Sequence, residues 1–293
     1  MGDPSVDEAP LDWQPPPTGS TLRAVLCIPI GVLWCMTNLP WMISTMVFTP
    51  RYFERNRTRI TSSWGRGLLR IFGIKLELHG LHNRDIAGAK ILAINHVSIV
   101  DLFVYSAAWA DHGTMIYKKE LGKIPLMGRV MRMIGFIPVD RSDHRSSLKS
   151  MAEAAKQIRE TGLSIWIAPE GTRSRRGGLQ EFKMGAFHMA RQTGAPIIPC
   201  IMRGAHEINR MGSKIIRSGT IRVDFLEPIE TKDWKRNELR GKAVGLRKQF
   251  LKYLPPAPDT PTLEDYARQD AEQEAAQETS ASAEPQAQAR RSE

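Results

Sequence analysis

The stretch Ile91-Leu92-Ala93-Ile94-Asn95-His96-Val97-Ser98-Ile99-Val100-Asp101 decides the architecture. Four consecutive apolar residues read as a strand buried on both faces, as in parallel sheets whose two sides are covered by helices. The polar residues that follow read as a turn at the strand's carboxyl end, and an apolar helix over about 99–110 begins directly after them. Open α/β sheets place their sites beyond the carboxyl ends of their strands. His96 and Asp101 are five residues apart, so they do not share a face of a straight helix, where neighbours are three or four apart. With His96 on the turn and Ser98 capping the helix, Asp101 falls in the first turn and can point back at the imidazole. An Asp there fixes the tautomer and leaves the other ring nitrogen to take a proton. The same Ser-x-x-Asp is also a capping box that needs no catalysis. Taken alone, the stretch leaves both readings open.

On either side of it, short apolar or alternating runs are separated by amphipathic stretches. Strands are expected near 74–79, 89–95, 114–118, 135–139, 163–168, 196–202 and 220–226, with further helices at about 145–160, 181–193 and 235–252. This alternation predicts an α/β fold, a mostly parallel central sheet covered by helices, with an N-terminal membrane-embedded helical segment or hairpin. No internal repeat is present.

A second polar block, Pro169-Glu170-Gly171-Thr172-Arg173, follows the apolar run Leu163 to Ala168. Glycine lets a backbone approach an oxyanion, threonine adds a hydroxyl, and the arginine fork matches a phosphate bidentately. As an isolated string it is equally a polar turn with a salt-bridged Glu and Arg.

Together, Asn-His-x-Ser-x-x-Asp and, about seventy residues later, Glu-Gly-Thr-Arg resemble the glycerolipid acyltransferase family, most closely its 1-acyl-sn-glycerol-3-phosphate acyltransferases. Between them, Lys118-Lys119-Glu120-Leu121 with Ile124-Pro125 and Gly128, then Gly135-Phe136-Ile137-Pro138-Val139-Asp140-Arg141, are similar to the family's second block. Phe182-Lys183-x-Gly185-Ala186-Phe187 and Ala195-Pro196-Ile197-Ile198-Pro199 are similar to its later ones, so the resemblance runs in order from about residue 65 to 230. It implies a direct transfer. His96 takes the proton of the acceptor's hydroxyl, Asp101 orients His96, and the oxygen attacks an acyl thioester carried by coenzyme A or acyl carrier protein. It further implies that Arg173, Arg141 and Lys118 bind the acceptor phosphate in a pocket shaped by Glu170, Gly171 and Thr172, while Pro196 and Pro199 contribute to a substrate pocket. The acceptor implied is lysophosphatidic acid and the product phosphatidic acid. Glycerol 3-phosphate, another lysophospholipid or a lyso-ornithine lipid are the alternative acceptors.

The residues themselves agree with a mechanism that has no acyl-enzyme, since no Gly-x-Ser-x-Gly elbow occurs and Cys27, Cys35 and Cys200 lie outside the motif blocks. Cys200 reads as a small buried hydrophobe. The remaining histidines, His79, His82, His112, His144, His188 and His206, show no ligand spacing, so neither a metal nor a cofactor beyond the acyl donor is expected.

The chain has 293 residues and a formal charge of +10. Residues 1–20 carry four acids and no base, and residues 255–293 carry nine acids against three Arg, which leaves +20 on residues 21–254. So basic a body suits an anionic partner. Nucleic acid is not expected, because no helix-turn-helix, RNP or zinc pattern accompanies the charge. A non-catalytic membrane adaptor would account for charge and apolar segment but not for both motif blocks.

The acidic, Pro-rich segment 1–20 is read as disordered and is the opposite of a basic secretory leader. Segment 21–62 is read as membrane-associated, because Ala24 to Phe48 carries no charge and would span roughly 37 Å as a helix against a hydrocarbon thickness of about 30 Å. Pro29 and Pro40 favour a hairpin bent within this run over one straight helix. Trp34 and Trp41 are read as interfacial anchors, and Arg51, Arg55, Arg57 and Arg59 as facing anionic headgroups. The acyltransferase domain is assigned to 63–254, facing the cytoplasm at an inner or cytoplasmic membrane, and 255–293 to a disordered or weakly helical tail.

Overall fold

A computed structural model describes residues 12–108, 113–140, 144–174 and 178–268. Helices α1 (Thr21–Phe48) and α2 (Pro50–Phe72) lead into β1 (Ile74–His79). The short α3 (Leu81–Arg84), β2 (Ile91–Ile94), α4 (Asp101–Ala107) and β3 (Gly113–Lys118) follow. Next come α5 (Met127–Ile134), β4 (Ile137–Val139), α6 (His144–Thr161) and β5 (Ser164–Ile167). The described chain continues with α7 (Gly185–Thr193), β6 (Ile197–Arg203), the short α8 (Ala205–Ile208), β7 (Gly219–Phe225) and α9 (Leu239–Leu251).

The strands form one seven-stranded sheet in the order β1-β7-β6-β2-β5-β3-β4. Every neighbouring pair is parallel except β6 and β7. The four apolar residues of β2 are completely shielded, because side chains of a strand alternate between faces and both faces are covered. Leu92 and Ile94 join a core beneath α1, α2, α4 and α5, while Ile91 and Ala93 join a second one beneath α6, α7 and α9.

The N-terminal helices differ from the sequence expectation. α1 runs unbroken through Pro29 and Pro40. Its buried residues Ala24, Gly31, Leu39 and Met42 recur at helical spacing and form a seam on the body of the protein, so packing holds the helix together across both prolines. The bend comes instead at Thr49, where Pro50 occupies the first position of α2 and its missing N–H breaks no intrahelical bond. Trp34 is not an interfacial anchor. Its ring lies over Gly67 and its Nε1 donates to the Trp64 carbonyl at 3.2 Å. Arg57 likewise turns inward and donates to the carbonyls of Gly113 and Ile134, whereas Arg51, Arg55 and Arg59 are exposed.

The division at 62/63 falls in the middle of α2, and this helix packs closely on α4 at Gly65. Parts of both expected tails are ordered against the domain. Trp13 lies over the Arg203 guanidinium at 5.2 Å and Gly19 N–H bonds the Ser218 carbonyl, while Pro255 to Tyr266 pack along the far side of the sheet. Residues 1–11 and 269–293 lie outside the described residues.

A methyl group on Gly65 would stand 2.5 Å from the Phe103 carbonyl and 2.7 Å from the Ala107 nitrogen, both backbone atoms, whereas one on Gly245 of α9 meets nothing within 4 Å. Gly65→Ala is therefore expected to destabilise the protein by about 1–3 kcal/mol, and Gly245→Ala to stabilise it by about 1 kcal/mol. Thermal unfolding midpoints in detergent should move in opposite directions.

Candidate active site

Parallel pairing brings the carboxyl ends of β2, β5, β3 and β4 to the same edge of the sheet. Ala93 stands opposite Ile167, so the residues three positions further on, His96 and Glu170, leave their strands at one level. Beyond the last strand residue of β2, the Asn95 side chain replaces a missing peptide neighbour. Its Nδ2 donates to the Met202 carbonyl and its Oδ1 accepts from the Met202 N–H, both at 2.8 Å. This clamp pins the turn to β6 and fixes where His96 begins.

The His96 ring is held by a single carboxylate oxygen. Nδ1 lies 2.5 Å from Oδ2 of Asp101, and the same oxygen accepts from the N–H groups of Val97 at 2.9 Å and Ser98 at 3.0 Å. Only half of the expected capping box forms, since Val100 rather than Ser98 caps α4 and the Ser98 hydroxyl accepts from Val100, but the carboxylate that receives the backbone of the turn also orients the ring. Asp101 is 0% exposed and the His96 side chain 23%. An ionised carboxylate can only accept, so Nδ1 carries the proton and Nε2 offers a lone pair. Ser98 is no rival nucleophile. Its buried hydroxyl accepts from Val100 N–H at 3.1 Å and reaches Asn209 Oδ1 at 3.2 Å.

The second motif block is bonded directly to the first. Glu170 Oε1 accepts from the His96 N–H at 2.8 Å, and Glu170 Oε2 accepts from the Gln180 N–H at 2.9 Å. The His96 carbonyl accepts from the N–H of Ser174, the residue after Arg173, at 3.1 Å. Glu170 is 1% exposed and its carboxyl is a brace between two loops, with no face turned to a ligand. Burial pushes its pKa up from the ordinary 4.5 to about 8, against the pull of the two N–H groups and with the Asp101 charge adding to the rise.

Around this pair, Arg173 is half-buried and has no ion-pair partner among the described residues. Gly171 has φ +72°, closing a turn in which its N–H bonds the Ala168 carbonyl at 3.0 Å. Thr172 is exposed, its hydroxyl 3.5 Å from Gln180 Oε1. Lys118 ends β3 at the same edge, exposed and 3.5 Å from Glu120. Arg141, two residues past β4, lies outside the described residues, as does His112.

The two prolines do not reach the site. The Pro196 carbonyl accepts from Ile91 N–H, at the opposite end of β2 from His96, and buried Pro199 stands opposite Ala93 within the sheet. Pro196 therefore precedes a central strand and Pro199 sits in its middle, before that strand reaches the edge where His96 lies. Cys200 is buried, with its thiol pKa pushed well up by that burial. Sequence reading assigned no role to Asn95, Gln180 or Lys183. The Lys183 side chain lies against Gly171, within 2.8 Å of where a Cβ would stand, and the Lys183 N–H bonds the Pro169 carbonyl.

The raised Glu170 pKa carries a stability signature. The folded protein keeps this proton up to about pH 8 while the unfolded chain releases it near 4.5, so the fold binds more protons in that window. Stability from this group is complete below about pH 4.5 and falls as pH rises through 8. Glu170→Gln should flatten this slope in unfolding midpoints measured across pH, while costing about 1–3 kcal/mol because one of the two N–H groups loses its acceptor.

An acyltransferase family model matches residues 75–203. The chain is 32% identical over 243 residues to a 1-acyl-sn-glycerol-3-phosphate acyltransferase of Limnanthes douglasii, covering 80% of this chain and 83% of that protein. It is 29% identical over 226 residues to the Escherichia coli K12 protein of the same name, covering 77% and 89%. The crystal structure of the LPA acyltransferase PlsC from Thermotoga maritima superposes with a TM-score of 0.66 at 20% identity, over 78% of this chain and 96% of that one, and so shares its fold. With its two motif blocks joined across adjacent strands, the chain belongs to the acyltransferase family, among the 1-acyl-sn-glycerol-3-phosphate acyltransferases.

Proposed function

We propose that the chain transfers a fatty acyl group from acyl-CoA or acyl carrier protein to the free sn-2 hydroxyl of 1-acyl-sn-glycerol-3-phosphate, forming phosphatidic acid for phospholipid synthesis. The observation that carries this reading is the ring of His96, held through Nδ1 by buried Asp101 and attached through its own backbone to the Glu170–Arg173 loop. Nε2 takes the hydroxyl proton as the oxygen attacks the thioester carbonyl. The C–S bond then breaks, and the imidazolium returns its proton to the leaving thiolate. The ester C–O bond is the one formed, and no covalent enzyme intermediate arises. Arg173 supplies a planar fork for the acceptor phosphate, with Lys118 and Arg141 as further cations. Thr172 and the tight turn at Gly171 shape the rim of that pocket, while Glu170 acts behind it on His96.

The acceptor and product are lipids, and α1 suits them. It is long and apolar enough to cross a membrane, and Leu22, Leu26, Leu33 and Phe48 are exposed along it. Seated in or on a bilayer, with Arg51, Arg55 and Arg59 toward anionic headgroups, it would hold the catalytic body at the cytoplasmic surface.

Purified protein in detergent, given both donors and a panel of acceptors, tests the reading. His96→Ala should retain the wild-type unfolding midpoint and lose ~10²–10⁴ in transfer to lysophosphatidic acid. Undiminished transfer would refute the mechanism. Arg173→Ala should weaken phosphomonoester acceptors by about 10–100-fold, the worth of a charge-assisted bond, and spare acceptors without that group. Equal loss on both acceptor types would remove Arg173 from the phosphate.

A further inference from the structure

Arg247, on α9, is 1% exposed and yet pairs with no carboxylate among the described residues. Its charge is met by hydrogen-bonded oxygens and by the Tyr266 ring, whose centroid lies 5.6 Å from the guanidinium carbon, and it pulls the Glu170 pKa down. Nε donates to the Gln180 carbonyl at 3.0 Å and Nη2 to the Leu179 carbonyl at 3.1 Å. Nη2 also reaches Thr260 Oγ1 at 3.0 Å, and Nη1 reaches the Pro261 carbonyl at 2.7 Å and the Tyr266 hydroxyl at 3.1 Å. One guanidinium thus ties the loop before α7 to residues 255–268. Backbone bonds reinforce the tie, since Leu179 N–H donates to the Pro255 carbonyl at 2.7 Å and Ala257 N–H to the Leu179 carbonyl at 2.9 Å. The chain passes so close that a Cβ on Gly178 would lie 2.4 Å from the Pro256 oxygen.

What this strap holds is next to the base. Gln180, whose carbonyl Arg247 grips, gives its N–H to Glu170, and the other Glu170 oxygen receives the N–H of His96. Burying an arginine without an acid is costly unless every donor finds an acceptor, so the strap and the loop must be in place together. We propose that residues 255–268 form a strap that sets the catalytic base, and that Arg247 is a positioning residue for His96, acting through Gln180 and Glu170. The inference rests on the role proposed above for His96, and it assigns to the C-terminal segment a part in the transfer reaction.

The test uses the full chain in detergent with Arg247→Met, Arg247→Lys and the milder Thr260→Val. Hydrogen exchange is followed in peptides covering 95–101, 178–183 and, as a reference, 219–225. Arg247→Met should speed exchange of the His96 and Gln180 amides by about tenfold or more while β7 stays protected, as expected of a local opening. Its kcat with lysophosphatidic acid should fall about tenfold or more, as for a slightly misplaced base, with KM for the acceptor unchanged. Arg247→Lys and Thr260→Val should give smaller changes of the same pattern. In a Glu170→Gln background the Arg247 substitution should have little further effect on kcat, since the link is already cut. Unchanged exchange at His96, or an equal rise in β7, overturns the proposal, as does a KM effect without a kcat effect. Should Arg247→Met fail to fold, Thr260→Val answers the same questions. If the unmodified chain transfers no acyl group, the proposed reaction fails, and the exchange measurement still decides whether the strap holds the His96 amide.

Discussion

Two loops that leave neighbouring parallel strands are joined by one buried carboxyl group. The loop after β2 opens with an N–H, that of His96, which must find an acceptor, and the loop after β5 offers Glu170, which bridges His96 and Gln180. The His96–Asp101 pair and the Glu170–Arg173 loop are arranged around that brace. Asp101 can orient the ring because the His96 backbone is fixed, and the backbone is fixed by Asn95 on one side and Glu170 on the other. A side chain is a better brace here than more sheet, since the strands have diverged and a ladder can no longer supply partners. Because that side chain sits out of water with a pKa near 8, the brace is protonated over part of the physiological range.

The architecture was legible because local signals and tertiary environment agree. Ile91 to Ile94 are apolar without alternation, which only a strand covered on both faces explains, and all seven expected strands appear within two residues of their expected ends. His96 and Asp101 were legible as a pair, since only four residues separate them and the geometry of that turn is local. The prolines of α1 were misleading, as a rule about isolated helices gave way to packing along one seam. Pro196 and Pro199 were grouped with the site by resemblance in sequence, yet Pro196 stands just before β6 and Pro199 within it, opposite Ala93 rather than at the His96 turn.

The braces themselves were invisible for a different reason. Gln180 acts through its backbone N–H, so no residue type announces it. Arg247 lies 67 residues from Gln180, and a lone arginine on an amphipathic helix reads as solvated surface. The Pro-rich stretch after Leu254 has too little apolar content to fold by itself, but it does not fold by itself. It takes its order from a buried guanidinium and from the Leu179 backbone. Polar networks of long sequence separation leave no periodicity to read.

The two outermost strands have a bearing on how copies of this protein meet. An unpaired strand edge is a template onto which any extended chain can hydrogen-bond, and long flat edges invite aggregation. Here one border is β4, three residues long with Pro138 at its centre, and the other is β1, which presents Lys75 and Glu77. A proline lacks the N–H that an invading strand would need, and charged side chains resist being desolvated by one. At crowded concentrations the sheet therefore stays closed to recruitment from either flank, and self-association is left to surfaces other than its hydrogen-bonding edges.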